Sequence, residues 1–362
     1  MATKAVDGKH RKTLPPEIWS KIFQQPLGTS EIIFVPGFEE EQGFAPLPLR
    51  NLIVGWEVPF DIYLKIKKKG EMLPRFVKSC ARGEVFQEEW HEKLVQLEIP
   101  CIYVSLEDMD RIMQYLQYHL ELALANQNLS DLEKSLQVCD ATHLWTLNFF
   151  SNEIARDSEQ VKLALKFLDI LFEVVQGHRH NNLHLMEIRR HSFRLYTHCL
   201  NVCLLGLAFT SYLDWPREDV RGFGLGALIH DIGLVRTPRT ILEKKGRLDT
   251  DEMDRVKRHP QEGFRILQPF IHVRWEALKM VLQHHENGDG SGYPQNLRIH
   301  AIHPWGRILR ILDSYEAMTA ARPWRPAMEP KEALWIMRTD WEKSKLFDHA
   351  FLTSFVKFLA GA

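Results

Sequence analysis

Between Phe60 and Lys67 apolar and polar residues alternate, with Phe60, Ile62, Leu64 and Ile66 set against Asp61, Tyr63, Lys65 and Lys67. A period of two predicts a half-buried strand, and Lys68-Lys69-Gly70 reads as the turn after it. Ile99, Ile102, Tyr103 and Val104 predict a second short strand. Between them, Glu88 to Leu97 has helical spacing, with Trp90, Leu94 and Leu97 on one face. A small α+β domain over residues 29–104 follows from these elements, preceded by a basic segment, 1–28, read as a mobile lead-in.

From Ser105 the pattern changes period. Ser105 stands where a helix N-cap would, with Asp108 three residues on as a weaker form of the capping box. Met109, Ile112, Met113, Leu116 and Leu120 then form an apolar stripe. A later stripe, Val161, Leu165, Leu168, Phe172 and Val175, ends at Gly177, so residues 105–180 read as a helical connector. No alternating segment of strand length appears after residue 190, and glycine and proline punctuate what remains. The expected fold class is mixed: a small α+β N-terminal domain followed by an all-α bundle over 181–362.

Composition narrows the function. Apolar residues make up 45% and charged residues 26% of 362, the balance of an ordinary globular protein. A formal net charge of −1 provides no global field for nucleic acid or an anionic membrane, so DNA is not an expected partner. No apolar run reaches the roughly 18 residues of a spanning helix, and the N-terminus lacks the apolar core of a secretory signal. Five scattered cysteines, Cys80, Cys101, Cys139, Cys199 and Cys203, predict reduced thiols and a cytoplasmic location. Cys199 and Cys203, four apart beside His198, read as small core residues. The run HRHNNLH (178–184) has no carboxylates and no ligand spacing, and reads as a solvated connection.

The chemistry concentrates between Leu228 and Met328. LIHDIG is followed by His259-Pro260, then HHENGDGSGYP, then Asp313 within an apolar helical run. Histidines and aspartates in this mixture suit borderline first-row divalent ions. An aspartate such as Asp231 can bridge two ions through its two oxygens. Asp313 has apolar neighbours at helical spacing, and a buried carboxylate needs a partner, which a metal provides. Asp289-Gly290 and Ser291-Gly292 allow close backbone approach, ahead of Tyr293 and Pro294. Arg322 and Arg325, three residues apart in RPWR, could hold phosphate oxygens in a forked geometry.

From about Tyr196 to Phe358, through LIHDIGL, His259-Pro260-Gln261-Glu262-Gly263, HHENGDGSGYP and RILRILDSYEAMTAARPWRPAM, the chain resembles the HD-GYP domains. These form a branch of the HD phosphohydrolase superfamily that hydrolyses cyclic di-GMP. The resemblance implies that His198, His230, Asp231 and Asp313 hold one ion. Asp231 would bridge to a second ion held by His259, His284 and His285. It implies iron or manganese, with cobalt, nickel or zinc as alternatives. Arg194 stands where some members carry a glutamate for a third ion, which favours a two-metal site, and His191 is read as a non-ligand. Tyr293, Arg322 and Arg325 are the implied substrate contacts, and Asp231 the catalytic residue.

The implied reaction is metal-dependent opening of cyclic di-GMP, or a related cyclic dinucleotide, to pGpG and onward to GMP. The two ions would hold a water, lower its pKa and align it for in-line attack on phosphorus. The match is broken at Leu234, where the family usually has lysine, a positive charge that stabilises the transition state. Arg236 is the candidate to replace it. Glu316 and Asn287-Gly288 also depart from the usual pattern, Glu316 in place of an aspartate. Because of Leu234, the competing reading is a cyclic di-GMP sensor of low or no turnover, signalling through the N-terminal domain. The N-terminal domain carries no motif that names a ligand; a regulatory or homodimerising role is an expectation from architecture alone.

Overall fold

The computed structural model describes residues 32–34, 41–68, 73–153, 156–177, 195–244, 246–321 and 325–361. The chain separates into two compact units, residues 1–127 and 128–362.

The first unit is built on a five-stranded antiparallel sheet: β1 (Ile32–Phe34), β2 (Phe44–Pro48), β3 (Ile62–Lys68), β4 (Arg75–Cys80) and β5 (Cys101–Ser105). The order is β1-β3-β5-β2, with β4 also pairing with β3. The alternation seen in the sequence is the pleat of β3. Ile62, Leu64 and Ile66 are buried, whereas Tyr63, Lys65 and Lys67 are half-exposed. Sequence periodicity predicts β3 and β5 but not β2, whose sequence FAPLP has no apolar–polar alternation. Its two prolines are tolerated because, among the described residues, β2 is an edge strand paired with β5, where missing N–H groups break few ladder bonds. Helix α1 (Glu88–Gln96) agrees with the predicted helix.

Ser105 caps differently from the expectation. Its side chain accepts from the Glu107 backbone N–H and opens a 3-10 turn, Leu106–Asp108, and only then does helix α2 (Met109–Ala125) begin. The division between the units also differs from a connector spanning 105–180. Helix α2 lies within the first unit, and α3 (Asp131–Ser151) and α4 (Ser158–Gly177) lie within the second. Packing supplies the reason, since α3 and α4 pack on one another and on the helices that carry the site. Helix α3 has no amphipathic stripe to read in the sequence, because nearly all its residues from Ser135 to Phe150 are buried.

The second unit continues with α5 (Leu195–Tyr212), α6 (Arg217–Ile229), a 3-10 turn (Ile232–Arg236) and the short helices α7 (Arg239–Leu242) and α8 (Thr250–Val256). Then follow α9 (His259–Leu267), α10 (Trp275–Gln283), α11 (Pro304–Thr319), α12 (Pro330–Ser344) and α13 (His349–Ala360). Among the described residues this unit is all helical, as expected. Its core is where α5 and α6 pack together, with α10 on α6 and α11 on α5 and α10. No helix among the described residues is long and apolar enough to cross a membrane. All five cysteines are free and buried.

Candidate metal centre

Seven side chains meet where these helices converge, each delivered by a helix end or an inward helix face. His198 comes from α5 and Asp313 from the buried face of α11. His230 caps the C-terminus of α6, and Asp231 follows it at φ −95°, ψ 10°, the sparsely allowed bridge region where active-site residues are often found. His259 opens α9 ahead of Pro260, and His284 closes α10 with His285 beyond it.

One glycine makes the convergence geometrically feasible. A Cβ on Gly233 would lie 1.9 Å from the His259 carbonyl oxygen and 2.6 Å from the Gly263 nitrogen. Only the absence of a side chain lets the turn after Asp231 press against the start of α9. The sequence suggests Gly233 as an exit from a helix; the structure gives it the additional role of joining two ligand-bearing segments.

The ligand atoms fall into two groups that share Asp231. Asp231 Oδ1 is 3.2 Å from His259 Nε2 and 3.6 Å from His284 Nε2. Its Oδ2 is 3.4 Å from His230 Nε2 and 3.9 Å from His198 Nε2. His198 Nε2 is also 3.1 Å from Asp313 Oδ1. Asp231, His259, His284 and His285 offer atoms within 4.8 Å of one another, as do His198, His230 and Asp313.

Hydrogen bonds define the histidine tautomers. The Nδ1 atoms of His230, His259 and His284 each lie 2.7–2.8 Å from the carbonyl three residues earlier, those of Ala227, Val256 and Val281. A ring that donates Nδ1–H carries its lone pair on Nε2 and presents it inward. The Nε2 atoms of His259 and His284 are only 3.0 Å apart, and two facing lone pairs at that distance need a cation or a proton between them. His230 Nε2 is buried with no hydrogen-bond partner. This orphaned acceptor and the facing imidazole pair, beside two buried carboxylates, fit a divalent cation.

His198 is held differently. Its Nδ1 lies 2.5 Å from Glu316 Oε2, and Asn201 Nδ2 donates to Glu316 Oε1 at 2.8 Å. Burial disfavours its charged form, but Glu316 and Asp313 outweigh burial and push its pKa up to about 10. Burial pushes the His230 pKa down to about 4. Burial, with His284 and His259, holds His285 well below its ordinary value. For Asp231 burial works against the charge, yet the adjacent histidines keep the carboxyl far below its usual range.

The loop after His285 packs against the second group. The Tyr293 ring stacks on His285 with centroids 4.8 Å apart, and the Tyr293 N–H donates to the His285 carbonyl. Burial, Asp231 and Asp313 raise the Tyr293 pKa, so the phenol stays a proton donor. Gly290 takes φ +86°, and a Cβ on Gly292 would meet the Asn287 nitrogen at 2.2 Å. Glu286 is almost fully buried and accepts the N–H groups of Gln295 and Leu297 at 2.6 and 2.8 Å, closing the loop. Asn287 bridges to α11, accepting from Arg310 and donating to Ser291.

Sequence reasoning identifies the seven acidic and imidazole side chains and Tyr293 but misses the residues that orient them. Glu316 reads as an outer position, yet it is the acceptor that orients His198; its spacing from Asp313, one turn along an apolar helix, is the signal. Two of the three arginines expected to meet substrate have partners within the chain. Arg236 bonds Glu153 at 2.6 Å on the surface. Arg325 spends both terminal nitrogens on the carbonyls of Met318 and Ala317, capping the end of α11. Exposed carbonyls at a helix C-terminus attract a guanidinium, and short-range contacts of this kind are invisible in residue spacing. Arg322, Arg194, His191 and the run 178–184 lie outside the described residues.

Comparisons with known proteins agree with this geometry. Residues 186–350 match the HD domain family. The chain is 36% identical over 194 residues to a cyclic di-GMP phosphodiesterase of Pseudomonas aeruginosa, an alignment covering 54% of this chain and 46% of that protein. It is 37% identical over 134 residues to a 3'3'-cGAMP-specific phosphodiesterase of Vibrio cholerae, covering 37% of this chain and 31% of that one. The chain thus spans less than half the length of these relatives. In fold it is similar to an HDG"Y"P protein from Bdellovibrio bacteriovorus, with a TM-score of 0.64 at 17% identity, covering 88% of this chain and 99% of that one. The histidine–aspartate centre, with the GYP loop at its edge, thus lies in a stretch, residues 186–350, that matches the HD domain family.

Proposed function

We propose that this chain is a metal-dependent phosphodiesterase that opens cyclic di-GMP to linear pGpG. The observation that carries the reading is the division of the Asp231 carboxylate, Oδ1 toward His259 and His284 and Oδ2 toward His230 and His198. Such a division suits a bridge between two ions, one held by His198, His230 and Asp313, the other by His259, His284 and His285. Two divalent ions, iron or manganese for this mixed nitrogen and oxygen set, supply Lewis acidity and an activated water when bound.

The chain's own groups do the positioning. Three backbone carbonyls hold His230, His259 and His284 as Nε2 ligands, and Glu316 with Asn201 orients His198. Tyr293, protonated and stacked on His285, offers an O–H to a phosphate oxygen at the rim. The relatives named for cyclic di-GMP and for cGAMP support a cyclic dinucleotide as the substrate class.

A second reading, a cyclic dinucleotide sensor of little turnover, is favoured by one feature. Leu234 brings no charge, and the nearest replacement in sequence, Arg236, is engaged by Glu153. Protein loaded with Mn(II) or Fe(II) is assayed for pGpG, with ligand binding measured in parallel. Product under either metal supports the enzyme; binding without product under both supports the sensor and ends the enzyme reading. Leu234→Lys raises the rate by about a hundredfold if the missing charge limits turnover, and an unchanged rate refutes that explanation.

A further inference from the structure

Beside the two groups of ligands stands a third, which the resemblance to the family does not supply. Cys199 follows His198 on α5 and is fully buried. Its Sγ, a ring nitrogen of His230 and a carboxylate oxygen of Asp231 all lie within 4.8 Å of one another. A further observation directs this sulfur toward a cation. His230 Nε2, in a residue with no exposed surface, has no hydrogen-bond partner. Cys203, one turn further along α5, is also buried, but among the described residues it belongs to no such group.

We propose that Cys199 Sγ is an additional ligand to the ion held by His230 and Asp231, so that this centre contains sulfur as well as nitrogen and oxygen. The inference rests on the metal reading of the same site. As the metal–sulfur bond forms, the S–H bond breaks and its proton leaves to solvent. A thiolate makes the centre softer, which shifts its preference toward zinc, ferrous iron or cobalt and away from manganese.

The test loads the full chain, freed of metal, with Co(II) and records absorption spectra together with bound cobalt. The wild type is expected to show a thiolate-to-cobalt charge-transfer band in the near ultraviolet. Cys199→Ser loses that band and Cys203→Ser keeps it, while all three retain cobalt and its d–d bands. Bound cobalt with d–d bands but no sulfur band in the wild type overturns the proposal and leaves the metal reading standing. A band that survives Cys199→Ser also overturns it. No cobalt bound at all removes the metal reading and this proposal together. Should Cys199→Ser fail to fold, X-ray absorption on the cobalt-loaded wild type decides: a sulfur shell near about 2.3 Å supports the proposal, and a shell of nitrogen and oxygen alone refutes it.

Discussion

Asp231 shows how much of this site depends on the placement of individual atoms. Each of its oxygens faces a different set of imidazoles, so an amide in its place keeps one ligand atom and turns the other into a donor. Asp231→Asn is expected to lower bound metal from two ions to one or none, measured by elemental analysis, and to cut turnover by about a hundredfold or more. Glu316 acts one step further out, by accepting from His198 Nδ1. Glu316→Gln should weaken metal binding by about 10–100-fold, as is usual when a ligand's orienting partner is lost; competition against a chelator gives the number. The candidate metal ligands are legible in the sequence because His, Asp and Gly in this order are rare together. Glu316 and Glu286 are less legible, since an isolated glutamate looks the same whether it is solvated or, as here, buried with its oxygens fully used.

At the scale of elements, the centre depends on contacts between backbones. The turn at Ile232–Arg236 meets the start of α9 through Gly233, where a methyl group would overlap the His259 carbonyl. Gly233→Ala is expected to destabilise the protein by about 1–3 kcal/mol, with metal affinity falling in step because Asp231 and His259 are driven apart. Denaturant melts with and without metal measure both effects. Equal melts for the two proteins would show that the turn has room to move. Prediction of elements from periodicity works where one face is buried, as in β3, α1 and α2. It is silent for α3, which is buried on all sides, and for β2, whose prolines are acceptable only because of its edge position.

For the whole molecule, buried histidines tie stability to pH. His143 on α3 and His119 on α2 have pKa values pushed down to about 4 by burial. Between their unfolded value near 6.5 and 4, the unfolded chain binds more protons than the folded one, so stability falls as pH drops through that window. Each contributes up to about 3 kcal/mol of this loss. His143→Phe should flatten the acid side of the stability profile by close to one proton, a slope read from denaturant melts at several pH values. His198 has the opposite sign in the metal-free protein. Its raised pKa contributes stability below about 6.5 that disappears as pH climbs through about 10. By itself the sequence determined the class of fold and singled out the histidines and aspartates that converge, because hydrophobic period and residue chemistry are local properties of the chain. Only the tertiary structure decided which Asp231 oxygen faces which histidine, which tautomers the rings adopt, and that Arg236 and Arg325 are bound to other groups. Those outcomes depend on distances of a few ångströms between segments far apart in sequence, set by packing that no local pattern records.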